Sequence, residues 1–314
     1  MGKIAFIFPG QGSQAVGMGK ELAEANGAGK SLFEKADQIL GESLSSLMFE
    51  GPQEALTKTV NAQPALLTVS TALVELFRES GIEADYTAGH SLGEYSALVA
   101  AGAIPFEDGV FTVRKRGEFM EEAVPNGLGA MAAVLGIERG PLSDVTAAVS
   151  NEGHPVQLAN INSPGQIVIS GTVEGVRLAG ERAKSAGAKR VISLEVSGPF
   201  HSSLMEPAAG KLRAVLDKAD INNTTIPVIA NVDAQPMTDA ETIKENLIKQ
   251  LYSPVLWEDS VRKMIELGVD TFIEFGPGKV LGGLVKKIDR SVAILSVSDV
   301  ESCYAAIAAL KEEK

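Results

Sequence analysis

The chain has 314 residues, 45% apolar and 22% charged, which excludes a disordered or fibrous protein and suggests about two domains. Lys and Arg number 28 against 40 Asp and Glu, and the net charge of −12 has the wrong sign for a general nucleic-acid binder. The single cysteine, Cys303, excludes an intrachain disulfide or a cysteine metal cluster and fits a reducing compartment.

Ile4–Phe8 is a continuous apolar run that stops at Pro9-Gly10-Gln11-Gly12, so it reads as a buried strand followed by a turn. It is too short for the apolar region of a signal peptide, which needs ~7–15 residues. The apolar stretch Ser96–Phe106 falls well short of the ~20 residues of a spanning helix. A cytoplasmic protein without a membrane segment is expected. Gly10, Gly12 and Ala15 match a variant of the dinucleotide fingerprint. That motif needs a second strand within a βαβ unit of ~30 residues, whereas Ser31–Leu40 reads as a helix. The loop is better read as backbone N–H groups facing a ligand oxygen, or as a plain tight turn. Pro64 opens a helix carrying Leu66, Val69, Leu73 and Leu76 on one face, and Gly81 closes it. Tyr86–Ala88 is a short strand, and Leu92–Ala101 a helix closed by Gly102.

The next elements are a strand at Leu128–Leu135, a helix around Leu142–Ser150, and strands at Val156–Ile161 and Gln166–Ser170. Asn162-Ser163-Pro164-Gly165 is the hairpin signal between those two strands. A helix at Val173–Ala186, closed by Gly187, and a strand at Lys189–Val196 complete a β-α-β-β-α-β order, the ferredoxin-like arrangement. Pro125-Asn126-Gly127 and Ser197-Gly198-Pro199 bound it. The expected division is a small subdomain, 126–196, inserted into a larger α/β subdomain, 1–125 and 197–314. Beyond the insert, Ser203-x-x-Glu206 reads as a capping box that opens a helix. Strands follow at Ile226–Ala230, Thr271–Phe275 and Val292–Ser296. Short apolar strands alternating with helices predict a mostly parallel sheet covered on both faces.

Gly89-His90-Ser91-Leu92-Gly93 is a G-x-S-x-G between a strand and a helix, the context of a nucleophile elbow. The serine sits on a tight turn that bulkier residues two before or two after would obstruct. The next backbone N–H and the helix N-terminus then face an oxyanion. The alternative is a packing turn around a buried serine. A nucleophilic serine needs a base, and there are three histidines. His90 adjoins Ser91 and should point away from it; His154 lies in a polar turn. His201 sits where one element hands over to another and is the base candidate by elimination, with a helix-entry histidine as the alternative. Arg114-Lys115-Arg116 reads either as a solvated basic face or as one guanidinium turned inward to grip a carboxylate bidentately.

Several motifs together carry a resemblance. They are Phe8-Pro9-Gly10-Gln11-Gly12-Ser13-Gln14, Gly89-His90-Ser91-Leu92-Gly93-Glu94-Tyr95, Arg116-Gly117, Asn160 to Gln166, Phe200-His201 and Phe275-Gly276-Pro277-Gly278. In this order, over essentially the whole length, the chain resembles the bacterial malonyl-CoA:acyl-carrier-protein transacylases of type II fatty acid synthesis. The resemblance implies an α/β-hydrolase-like large subdomain with a ferredoxin-like insert. It implies that Ser91 is the nucleophile and His201 its base, in a dyad where a backbone carbonyl replaces the aspartate. Gln250 matches the residue whose backbone orients the histidine. The N–H groups of Gln11 and Leu92 match the oxyanion hole, and Arg116 the arginine that pairs with the malonyl carboxylate. Asn160 and Asn162 match a stretch lining the cleft. Phe200 stands where the single-domain family often has a smaller residue and malonyl-selective polyketide domains often have Phe.

The implied reaction is ping-pong: malonyl passes from coenzyme A to Ser91, then to the phosphopantetheine thiol of acyl carrier protein. Malonyl-CoA and acyl carrier protein are the implied partners. No permanently bound cofactor, metal, nucleic acid or membrane is expected, and the protein is expected to be a monomer. The carrier is itself acidic, so docking needs a local basic patch; Lys189 and Arg190 on the insert, with Lys286, Lys287 and Arg290 on the large subdomain, are the candidates. The competing readings are a serine hydrolase or thioesterase with a buried acid on His201, a free-standing polyketide acyltransferase, and a non-enzymatic carrier-binding scaffold.

Overall fold

The strand that begins the fold, β1 (Lys3–Phe8), is buried from Ile4 onward, because sheet neighbours flank it on both sides and helices cover both faces. In the computed structural model, which describes residues 2–25, 28–125 and 127–312, β1 pairs in parallel with β2 (Tyr86–Gly89). Asn126, expected to open the insert, and the expected ends of the large subdomain, Met1, Glu313 and Lys314, lie outside the described residues. The chain then leaves this sheet for β3 (Gly129–Leu135), β4 (Val156–Ser163), β5 (Gln166–Thr172) and β6 (Arg190–Ser193). It returns with β7 (Val228–Ile229), β8 (Pro236–Met237), β9 (Val269–Phe275) and β10 (Ala293–Val297). The main sheet runs β10-β9-β1-β2-β7-β8, parallel except for the last pair. Phe6, Phe77 and Phe275 meet edge to face on one side of it; Ala5, Ile7, Trp257 and Phe272 pack on the other. The strands β1, β2 and β9 end together at Phe8, Gly89 and Phe275, and crevices outside the carboxyl ends of parallel strands are where α/β folds bind ligands.

The second sheet is antiparallel, ordered β4-β5-β3-β6, with helices Arg139–Asn151 and Val173–Ser185 over a core that includes Val134, Leu142, Ile169 and Ala179. This is the expected ferredoxin-like connection order. The second helix is well specified locally. Thr172 caps it by accepting from the N–H of Gly175, Glu174 lies in its first turn, and Arg182 and Lys184 in its last. The small sheet is stitched by main chain to the segment that leads into the helix Trp257–Glu266: Val255 accepts from the N–H of Ile161 at 2.8 Å and donates to the carbonyl of Ala159 at 2.8 Å. The stitch brackets Asn160.

Three expectations need correction. Pro64 does not open its helix, which runs from Thr59 to Arg78 with the proline inside. A proline there forfeits one helical hydrogen bond, at a cost of ~3 kcal/mol, but the residues from Ala62 to Val74 are all buried, and packing outweighs the lost bond. The same helix is long and apolar enough to span a membrane by length and composition, which a start at Pro64 hides; here it is a core helix, mostly covered by protein. Ser203 does not form a capping box: residues Ser203–Met205 make a 3₁₀ turn, and the α-helix starts at Glu206. The N–H of Ser203 is taken instead by Oε1 of Gln157. Finally, the strand expected over Lys189–Val196 is confined to β6: Leu194 keeps one bond to Met131 of β3, and Leu194, Glu195 and Val196 line a cavity.

Candidate active site

Ser91 occupies the turn between β2 and the helix Leu92–Ala100, at φ 52° and ψ −106°. This is a strained conformation for a residue with a side chain. The flanking glycines are required by space: a Cβ on Gly89 would lie 1.9 Å from the carbonyl of Gly93, and one on Gly93 would lie 2.1 Å from that of Phe8. The turn presents the Ser91 hydroxyl to a cavity of about 180 Å³, whose walls include Gln11, Leu92, Arg116, Met131, Asn160, Phe200 and His201. The first N–H groups of a helix have no acceptor within it, and Leu92 opens the helix at this wall.

The Ser91 hydroxyl lies 2.7 Å from Nε2 of His201, whose Nδ1 lies 2.8 Å from the main-chain carbonyl of Gln250. A carbonyl only accepts, so Nδ1 carries the proton, and Nε2 accepts from the serine. His201 is itself at φ 57° and only 3% exposed. Burial, and then the charge of Arg116, push its pKa down to about 3, so the ring is neutral. Among the described residues no carboxylate hydrogen-bonds it. The buried acid in the neighbourhood, Glu94, accepts from Nε2 of Gln250 and the N–H of Asn231, both at 2.9 Å, and burial raises its pKa to about 7.

Arg116 is turned inward, while Arg114 pairs with Glu42 and Lys115 with Glu118 on the surface. It is 1% exposed and donates to Oε1 of Gln63 at 2.8 Å, Oε1 of Gln250 at 2.9 Å and the Ser91 hydroxyl at 3.1 Å. It also stacks 5.5 Å from the ring of Tyr95. Each of these acceptors is neutral, and Nε is buried without a partner among the described residues. A desolvated cation so placed is primed for an anionic ligand.

The remaining candidates divide. Phe200 and Asn160 line the cavity. Asn162 does not; it holds at 2.8 Å the Nε2 of His90, which lines the cavity and whose ring lies 5.8 Å from that of Trp257. The cationic candidates lie off the cavity. Lys287 reaches from the helix Val280–Ile288 to Oε1 of Gln166 at 2.8 Å. Gln166 pairs with Leu135, which pairs in turn with Arg190, so these two cations share one end of the small sheet. Lys189 lies against Gly136 nearby, and Arg290 is exposed. Lys286 is turned to the carbonyl of Val292 at 2.7 Å. Among the described residues there is no group of three or more His, Cys, Asp or Glu able to hold a metal.

Three contributors carry no spacing signal in the sequence: the Gln63 and Gln250 side chains and Asn231. The carboxamide of Asn231 accepts from the N–H of Ser91 at 2.8 Å and donates to the carbonyl of Gly89 at 2.7 Å. Glu94 was legible only as part of the elbow motif.

Residues 5–311 match the acyl transferase domain family. The malonyl CoA-acyl carrier protein transacylase of Bacillus subtilis (strain 168) is 64% identical over 313 residues, covering 100% of this chain and 99% of its own. An acyl carrier protein S-malonyltransferase from Vibrio cholerae superposes with a TM-score of 0.94 at 46% identity, covering 97% of this chain and 99% of that one. A malonyl-transacylase solved in complex with its type II PKS acyl-carrier protein gives a TM-score of 0.94 at 43% identity, with 98% and 99% covered.

Proposed function

The chain belongs to the acyl transferase domain family, and we propose that it moves a malonyl group from coenzyme A to acyl carrier protein through an ester on Ser91. The observation that carries this reading is the convergence on one hydroxyl of a neutral imidazole at 2.7 Å and an unpaired buried guanidinium at 3.1 Å. His201 takes the Ser91 proton as the hydroxyl attacks the thioester carbonyl. The carbonyl oxygen, now anionic, lies against the N–H groups of Gln11 and Leu92, and coenzyme A leaves as the thiol with the proton from His201. The carrier thiol then gives its proton to His201, attacks the ester, and the steps run in reverse.

Arg116 holds the malonyl carboxylate. This has a second consequence: the charge of Arg116 is one reason the His201 pKa is low, and pairing it with a carboxylate returns basicity to the ring. The carbonyl of Gln250 holds the tautomer without adding a titratable acid. A hydrolase order, with an acid on the histidine, finds no support in these contacts. A cavity of about 180 Å³, walled by Asn160 and Phe200, suits a short acyl group.

The division into subdomains 1–125 with 197–314, and 126–196, belongs to this proposal. So does a cytoplasmic monomer with no permanently bound cofactor. Carrier docking is assigned to Lys189, Arg190, Lys286, Lys287 and Arg290, although the ammonium groups of Lys286 and Lys287 each already donate to an oxygen of this chain.

The test is intact-mass detection of the acyl-enzyme. Wild type incubated with malonyl-CoA should gain one malonyl group, and Ser91→Ala should gain none while melting at an unchanged temperature. Added holo carrier should discharge the ester to its thiol. An adduct on the alanine variant, or discharge to free malonate at the same rate without carrier, would overturn the proposal.

A further inference from the structure

We propose that Asn231 is a positioning residue for this reaction: its side-chain carboxamide replaces a missing peptide unit of the main sheet and holds Ser91 in its strained form. The inference rests on the acyl-transfer reading of the site. Strands β2 and β7 pair in parallel at Thr87 with Val228 and Ala88 with Ile229. Continued by two residues, that ladder would have the N–H of Asn231 donate to the carbonyl of Gly89, and its carbonyl accept from the N–H of Ser91. The main chain of Asn231 makes neither bond. Its N–H goes to Glu94 at 2.9 Å, and its carbonyl accepts from Leu256 at 2.9 Å. The side chain makes both bonds instead, at 2.7 and 2.8 Å.

A carboxamide has the donor and acceptor of a peptide but hangs on a side chain, so it can follow the elbow where the main chain cannot. Gln250 closes the frame by donating from Nε2 to the carbonyl of Ser91 at 3.0 Å. Asn231 and Gln250 are both 0% exposed, so no solvent stands ready to replace these bonds. Without the carboxamide, two buried peptide groups lose their partners and the strained turn loses its restraint. The Ser91 hydroxyl then drifts from Nε2 of His201, while Arg116 keeps its own partner on Gln63.

The decisive pair of variants is Asn231→Leu and Asn231→Asp. For Asn231→Leu, displacement of the nucleophile should lower the acylation rate with malonyl-CoA about 100-fold. KM and the malonyl-to-acetyl preference should stay within about threefold of wild type, because neither acyl recognition nor coenzyme A binding passes through Asn231. Asn231→Asp supplies the rescue. A protonated carboxyl has the same donor and acceptor as the carboxamide, and a carboxylate has no donor. Glu94, Tyr95, Arg116, His90, His201 and Asp233 are the ionisable groups around this frame. Burial beside Glu94 keeps the new acid protonated at low pH. Its rate relative to wild type at the same pH should therefore rise about tenfold from about pH 8 to about pH 5.5, with that of Asn231→Leu flat. Thermal melting at each pH reports folding, and the aspartate at low pH decides the matter where the leucine variant does not fold. An Asn231→Leu enzyme within threefold of the wild-type rate, or a folded Asn231→Asp enzyme equally slow at every pH, would overturn the proposal. A wild type that forms no ester on Ser91 overturns the underlying reading, and this inference with it; a wild type that does form it confines any failure to Asn231.

Discussion

Replacing Arg116 tests whether its buried charge serves the acyl group or the fold. The guanidinium has two neutral amide acceptors, Gln63 and Gln250, and contacts the nucleophile itself. A malonyl carboxylate would be its anionic hydrogen-bond partner, and a charged hydrogen bond contributes about 1.5–3 kcal/mol. Arg116→Ala should thus lower malonyl transfer by roughly 10–100-fold, since each 1.4 kcal/mol is about tenfold. Truncation also strands two buried glutamines, and that damage falls on every substrate alike. The informative quantity is therefore the ratio of kcat/KM for malonyl-CoA to that for acetyl-CoA, which cancels it. The ratio should fall by most of that factor in Arg116→Ala. Arg116→Lys should recover only part, because an ammonium cannot form the bidentate pair. Stopped-flow or quenched single-turnover acylation measures it directly. Equal losses for the two acyl groups would refute the reasoning and leave Arg116 a structural residue.

Two further outcomes follow from the same geometry. Reversing Arg190 and Lys287 to Glu, one on each side of the junction between small sheet and large subdomain, should raise KM for the acidic carrier and weaken its salt dependence. Acylation by malonyl-CoA should be nearly unaffected, and unchanged carrier kinetics at low salt would place docking elsewhere. Glu94 has a folded pKa of about 7 against an ordinary glutamate value of 4.5. Its contribution to stability is thus full below about pH 4.5 and is lost as pH rises through about 7. His201, depressed to about 3 from 6.5, acts in the opposite sense, its contribution present above 6.5 and lost as pH falls through about 3. Between about pH 5.5 and about pH 8, Glu94 should cost wild type about 2 kcal/mol that Glu94→Gln does not lose. Urea titrations of both proteins at the two pH values check this, and parallel losses would show that Glu94 is ionised throughout.

The parts legible from sequence are those set by short-range sterics. The apolar run of β1 ends where Pro9 and Gly10 end it, and the glycines flanking Ser91 answer a clash that any strand-to-helix turn of this tightness would produce. The β-α-β-β-α-β order was readable because each element carries its own period and its own breaker. Ser91 is legible from its elbow motif and His201 by elimination among three histidines, whereas the inward turn of Arg116 and the joining of residues 91, 116 and 201 into one site rest on resemblance, since no local rule connects them. What tertiary structure alone decided is which side chains meet once the chain has crossed itself. Pro64 looked like a helix start because a proline forbids one hydrogen bond, and only burial along the helix shows why the loss is tolerated. Gln63 and Gln250 lie in helices that hold other polar residues and Asn231 lies in a turn, and one amide among several polar side chains has no spacing to betray it. Their role exists because three distant segments converge around Ser91, where burial leaves each peptide group and each charge dependent on whatever partner the fold brings within reach.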